Sequence, residues 1–180
     1  MQTDIVLTFT GHDRVGIVEA VTKILVHQGG NVKSSRMARL GGEFAMLMLV
    51  SLPEQAFERL EQDFAPLRGE GYHILLLRTA DSHAEKFKGW LPYEIEVLGA
   101  DHEGIIHEIA SHLAAQGINI ETMDTSTVSA PMSGTPLFSM KAIVLAPPQL
   151  PFQKWSEALD EIGDRLNVNI KVGLAVGSSV

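Results

Sequence analysis

Apolar and polar positions alternate in short runs, then fall into helical stripes, and the same succession occurs in both halves of the chain. Ile5-Val-Leu-Thr-Phe-Thr10 is a run of β-branched and aromatic residues that reads as a strand. Apolar residues at 17, 18, 21, 24 and 25 form a helical stripe, with Asp13 placed to cap its start and Gly29-Gly30 to end it. Asn31 to Leu40 suits an extended strand, Gly41-Gly42 a tight hairpin turn, and Glu43 to Leu52 the returning strand. Pro53 opens a helix with Phe57, Leu60, Phe64 and Leu67 on one face, and Tyr72 to Arg78 closes the unit as a strand.

The second half follows suit. Tyr93 to Leu98 reads as a strand, Ile105 to Gln116 as a helix and Asn119 to Val128 as a strand. A Pro/Ser/Gly loop from Ala130 to Pro136 precedes a strand over Leu137 to Leu145. After Pro151 comes a helix with Phe152, Trp155, Leu159, Ile162 and Leu166 on one stripe, and Val168 to Val176 is the last strand. The correspondence extends to individual residues. Gly11 to Val32 realigns on Gly99 to Ile120 at an offset of 88 positions, with Gly, Asp, Gly, Ile, Leu, Gln, Gly and Asn coinciding.

The order βαββαβ, twice, predicts an α+β chain of two ferredoxin-like domains, each a four-stranded antiparallel sheet with two helices on one face. The expected domains span residues 1–80 and 90–180, with a polar linker at 81–89. The copies differ in one respect. Glu94, Glu96, Asn169 and Lys171 alternate with apolar residues in copy two, so its outer sheet face is expected to be wet. Phe44 to Val50 in copy one is apolar at every position, and Ile74 to Leu77 repeats this. Strands apolar on both sides are normally covered on both sides. Either another sheet, from its own second copy or another chain, covers this face, or the strand is indifferent to alternation.

Composition narrows the class. The chain has 180 residues, of which 45% are hydrophobic and 20% charged, in the globular range. No apolar run approaches the roughly 18 residues of a membrane helix, and the opening Met1-Gln-Thr-Asp4 has no signal-peptide pattern. With no cysteine, disulfide and thiolate chemistry are excluded. A cytoplasmic protein is the expectation. The net charge is −8, with 4 Lys/Arg against 11 Asp/Glu in residues 91–180. An acidic chain is poorly suited to gripping nucleic acid directly, and Lys33, Arg36 and Arg39 are its main local basic cluster.

The candidate chemistry lies in the repeated loops Gly11-His-Asp-Arg-Val-Gly16 and Gly99-Ala-Asp-His-Glu-Gly104, each between a strand and a helix N-terminus. A first helical turn leaves backbone N–H groups free and carries partial positive charge, which suits a ligand carboxylate. Asp13 and Asp101 can accept from a ligand ammonium, and Asn31 and Asn119 offer an amide at the next strand. Together with His12 and His102 beside the loops, these groups suit a zwitterionic amino acid; the same residues can equally be caps, packing glycines and turns. A zinc-protease reading fails, because His102 and His107 are five apart and lie about 140° apart around a helix. No nucleophile elbow, phosphate loop or dinucleotide fingerprint occurs, so no enzyme, metal or cofactor is expected.

Asp13-Arg-Val-Gly16 with Gly29-Gly-Asn31-Val32, and Asp101-His-Glu-Gly104 with Gly117-Ile-Asn119-Ile120, resemble the D-R-P-G and G-x-N-I signatures of the ACT domain, a regulatory ligand-binding module. Val15 and Glu103 stand where that signature has proline, and copy two has His102 in place of the arginine. Ser35 to Phe44, with Arg36, Gly41, Glu43 and Phe44, is further similar to the tandem ACT proteins typified by glycine cleavage repressors, which carry no separate DNA-binding or catalytic domain. The resemblance implies ACT domains paired side by side, binding a small amino acid such as glycine at their junction. It makes Gly11, His12, Asp13, Gly16 and Asn31, with Gly99, Asp101, His102, Gly104 and Asn119, the ligand-binding candidates. It also implies action through a protein partner such as a DNA-binding activator, and a homo-oligomer. The alternative is a ligand-free ACT interaction subunit that modulates an enzyme or activator by contact.

Overall fold

The computed structural model describes residues 1–79, 86–129 and 134–175. The chain divides into two compact units, Met1–His83 and Ala84–Val180. The first half of the expected linker and most of the expected loop at 130–136 lie outside the described residues, as does the end of the last strand at 176.

In the first unit, strand β1 (Gln2–His12) leads to helix α1 (Ile17–His27), strand β2 (Asn31–Leu40) and strand β3 (Glu43–Pro53). Helices α2 (Phe57–Asp63) and α3 (Ala65–Gly69) and strand β4 (His73–Thr79) complete it. The sheet order is β2-β3-β1-β4, with β1 antiparallel to β3 and β4, and β2 antiparallel to β3. Ile5, Leu7, Phe9, Met46, Met48, Val50 and Leu76 point to one face, where they are buried with Ile17, Val21 and Leu25 of α1 and Leu60, Phe64 and Leu67. The single helix expected after Pro53 is a 3-10 turn (Glu54–Ala56) followed by two short helices meeting at Phe64. Pro66 explains the break, since it has no N–H to continue the ladder.

The second unit repeats the plan with strand β5 (Leu91–Ala100), helix α4 (Ile105–Ala115), strands β6 (Asn119–Ser129) and β7 (Pro136–Ala146), helix α5 (Phe152–Leu166) and strand β8 (Val168–Leu174). Its sheet order is β6-β7-β5-β8, all antiparallel, so both units have the α+β, ferredoxin-like arrangement. Trp155, Leu159, Ile95, Ile105, Ile109 and Leu113 are fully buried at the centre of its core.

Two details follow the repeat. Each outer hairpin strand is bulged at the same place, between Val32 and Ser34 and between Ile120 and Thr122. The edge strands β2 and β6 carry opposite charge at matching positions: Lys33 and Arg36 against Glu121 and Asp124.

The outer sheet faces differ as the alternation suggested. In copy two, Lys141 on β7 binds Glu94 at 2.9 Å and Glu96 at 3.7 Å, leaving a charged, wet face. In copy one, the outer face is apolar, with Leu47, Leu75 and Leu77 46%, 54% and 52% exposed within the chain.

Candidate functional site

Both repeated loops end on a left-handed glycine. Gly16 and Gly104 are the N-caps of α1 and α4, at φ 87° and 94°. A Cβ at either would meet nothing within 4 Å, so glycine serves the backbone turn there and leaves the helix tip open. Gly11 and Gly99 have a different role. A Cβ on Gly11 would lie 2.4 Å from Tyr72 Cδ1, and one on Gly99 2.7 Å from Val168 Cα, so the protein's own atoms fill those places.

Asp13 does not cap its helix. No side chain caps α1 or α4, and the Asp side chains turn instead to the hairpin strand beside them. Asp13 stands 3.8 Å from Arg39 Nε, and Asp101 accepts from the Thr127 hydroxyl at 3.3 Å. Arg39 and Thr127 are themselves 88 positions apart, so the contact belongs to the repeat. The Asp backbones are held alike: Asp13 N–H donates to the Gly42 carbonyl and Asp101 N–H to the Pro136 carbonyl, both at 3.3 Å.

The residue after each Asp ties the loop to the far side of its domain. Arg14 donates to the Tyr72 hydroxyl at 3.0 Å and pairs with Glu70 at 3.3 Å. His102 places Nε2 2.7 Å from the Leu166 carbonyl and Nδ1 2.9 Å from the Glu103 carbonyl. Both partners are acceptors, so only the doubly protonated ring satisfies both contacts. These bonds, Leu166 first, together with the charge of Asp101, raise the His102 pKa above its ordinary value.

In copy two the loop frames an open cleft of about 560 Å³, lined by Asp101, His102, Gly104, Ile105, Ile106 and Phe138 among others. In copy one, Gly11 and His12 line a cleft of about 440 Å³ with Glu43 and His73, and His12 Nδ1 lies 2.8 Å from the Glu43 carboxylate. Asn31 and Asn119 lie elsewhere. Asn31 pairs with Ser51, which pairs with Asp4, at the opposite end of β1 from the loop. The eight residue steps from Asp4 to His12 span about 26 Å at about 3.3 Å each. Asn119 is placed likewise, level with Leu145 and so with Pro92. One small amino acid cannot touch both ends of the same sheet.

Sequence reasoning missed Arg39, Thr127 and Tyr72. The first two were within reach of the repeat offset; nothing local marked Tyr72 as the ring lying over Gly11. Among the described residues no cluster of metal-ligating side chains occurs, and no helix is long and apolar enough to cross a membrane.

A sequence profile described as the ACT domain matches residues 3–69. The glycine cleavage system transcriptional repressors of Escherichia coli K12 and Shigella flexneri are each 29% identical to this chain over 128 residues, 70% of the chain and 66% of their own length. The chain thus spans just under two thirds of these relatives. The crystal structure of an unknown protein from Galdieria sulphuraria shares 34% identity and a TM-score of 0.82, covering 98% of this chain and 100% of that one. A crystal structure provisionally assigned as a glycine cleavage system transcriptional repressor matches with a TM-score of 0.66 at 22% identity, over 97% and 98% of the two chains, and shares the fold. Residues 3–69 thus carry an ACT domain, the second unit repeats its βαββαβ fold, and the chain resembles the glycine cleavage system transcriptional repressors.

Proposed function

We propose that the chain is a non-enzymatic regulator that senses a small amino acid at its strand-to-helix loops and passes the signal to a protein partner. The observation that carries this reading is the uncapped helix tip, built the same way twice and open in both copies. At such a tip, the first-turn amides meet a ligand carboxylate. Asp13 or Asp101, held in place from β2 or β6, meets the ammonium. Gly16 and Gly104 keep Cβ atoms away from the approach, Gly11 and Gly99 let the loop lie close to its own domain, and His12 and His102 flank the entry. Copy two offers the better seat, since its cleft brings Asp101, His102 and Gly104 together. Asn31 and Asn119 take no part in the loop site of their own domain.

The similarity to glycine cleavage repressors makes glycine the first ligand to try and a DNA-binding activator the kind of partner to seek. The ligand shifts the partner interaction by as much as it prefers one state of the protein over another. A thermal-shift screen of the twenty amino acids tests the reading. At least one should raise the melting temperature of the wild type, and Asp101→Ala should remove that rise. No rise with any amino acid overturns it. The bare leucines of copy one favour a second reading, a ligand-free interaction subunit, which such a result would leave standing.

A further inference from the structure

The outer face of the copy-one sheet is built in rows. The strand register places Leu49, Val6 and Leu77 side by side, then Leu47, Thr8 and Leu75. The corresponding rows of copy two read Ile143, Glu94, Gly173 and Lys141, Glu96, Lys171. One fold thus carries both versions, so the leucines are not a requirement of folding. The charged version is self-sufficient, because Lys141 pairs with both glutamates on its own face. The leucine version leaves Leu47, Leu75 and Leu77 about half exposed. Of its charged ends, Asp4 pairs with Lys33 and Glu43 with His12, while Arg36 of β2 stands beside Leu47 on the rim. An apolar centre with a polar rim is how protein interfaces are laid out.

We propose that this face binds the same face of a second copy of the chain, sheet on sheet, about a two-fold axis. A two-fold pair places identical patches opposite each other, so leucine meets leucine. The other sheet face of a second copy is excluded as occupant, since it would bury Lys141, Glu94 and Glu96 against an apolar surface. The area fits a modest dimer. Seven residues of β4 give about 23 Å of length and four strands about 19 Å of width, or roughly 440 Å² a side. Two such faces bury on the order of 900 Å², the size of a reversible interface rather than an obligate one.

Sedimentation velocity of the full chain over a wide concentration range tests the proposal. The wild type should pass from monomer to dimer. The double variant Leu47→Lys, Leu75→Lys, which copies the Lys141 and Lys171 pattern, should keep its circular dichroism and weaken self-association about a hundredfold. A wild type that is monomeric throughout overturns the proposal, as does a dimer untouched by the two lysines. Should the double variant not fold, Thr8→Cys decides: in a chain without cysteine, this position at the centre of the face should form an intermolecular disulfide on mild oxidation. Failure of Thr8→Cys to crosslink above the level of a surface control cysteine overturns the proposal.

Discussion

Thr127 donates its hydroxyl to the carboxylate of Asp101 at 3.3 Å, and the repeat places Arg39 in the same position beside Asp13. The aspartates are therefore oriented from the hairpin strand and leave the helix tip to a ligand. Replacing Asp13 or Asp101 by alanine should cost well under the ~1 kcal/mol typical of losing an N-cap. Urea denaturation of each variant checks this; a loss above that level would mean that the side chain caps after all.

The four loop glycines should respond to alanine by two different mechanisms. At Gly16 and Gly104 the positive φ sets a cost of about 1–2 kcal/mol each, with no clash. At Gly99 the new methyl meets Val168 backbone, which cannot move aside, and about 1–3 kcal/mol or more is expected. Gly11→Ala meets only the Tyr72 ring, so Tyr72→Ala should relieve it in a double-mutant cycle, while no partner change relieves Gly99→Ala.

The loop tether of copy two should be sensitive to pH and that of copy one should not. His102 has a raised pKa in the folded state, so its stabilising contribution is fully present below the ordinary value of 6.5 and fades as pH rises through the folded value. Arg14 stays charged throughout; its bond to Tyr72 raises its pKa further. The melting-temperature gap between wild type and His102→Ala should narrow from pH 5.5 to pH 8, whereas the gap for Arg14→Ala should stay level across about the same range. Equal gaps for His102 at both ends would show that its ring stays in one protonation state.

Trp155 is fully buried, and among the described residues its indole Nε1 is the one buried side-chain nitrogen or oxygen without a partner. An unmet buried donor costs about 1–3 kcal/mol. Trp155→Phe removes the donor along with part of the packing and should change stability by less than about 1.5 kcal/mol. Trp155→Ala should lose about 3–5 kcal/mol. Chemical denaturation separates the two outcomes.

The element order was legible because the period changes from two to 3.6 at the same places in each half, and a repeat confirms each assignment with a second example. The wet face of copy two was equally plain, since Glu94, Glu96 and Lys171 alternate with core residues. The role of Asp13 was not legible. Its position before a helix is the local signature of a cap, while the competing contact with Arg39 comes from a strand end more than twenty residues away. The helix break at Phe64 was written in Pro66, but the apolar stripe running through it concealed the stop. Asn31 was grouped with the loop because its amide suits an amino acid and the family resemblance repeats the grouping, although counting residues along β1 already places it at the far end of the sheet.

The opposed charges of β2 and β6 bear on which sheet edges can meet. An exposed edge strand is a template for further strands. Two β2 edges meeting antiparallel would set Lys33 and Arg36 against their own kind, and two β6 edges would oppose Glu121 and Asp124. Homotypic lateral growth is thus electrostatically barred, and the bulge in each edge disturbs it further. A β2 edge meeting a β6 edge would instead bring opposite charges together, so the charge pattern selects unlike edges over like ones.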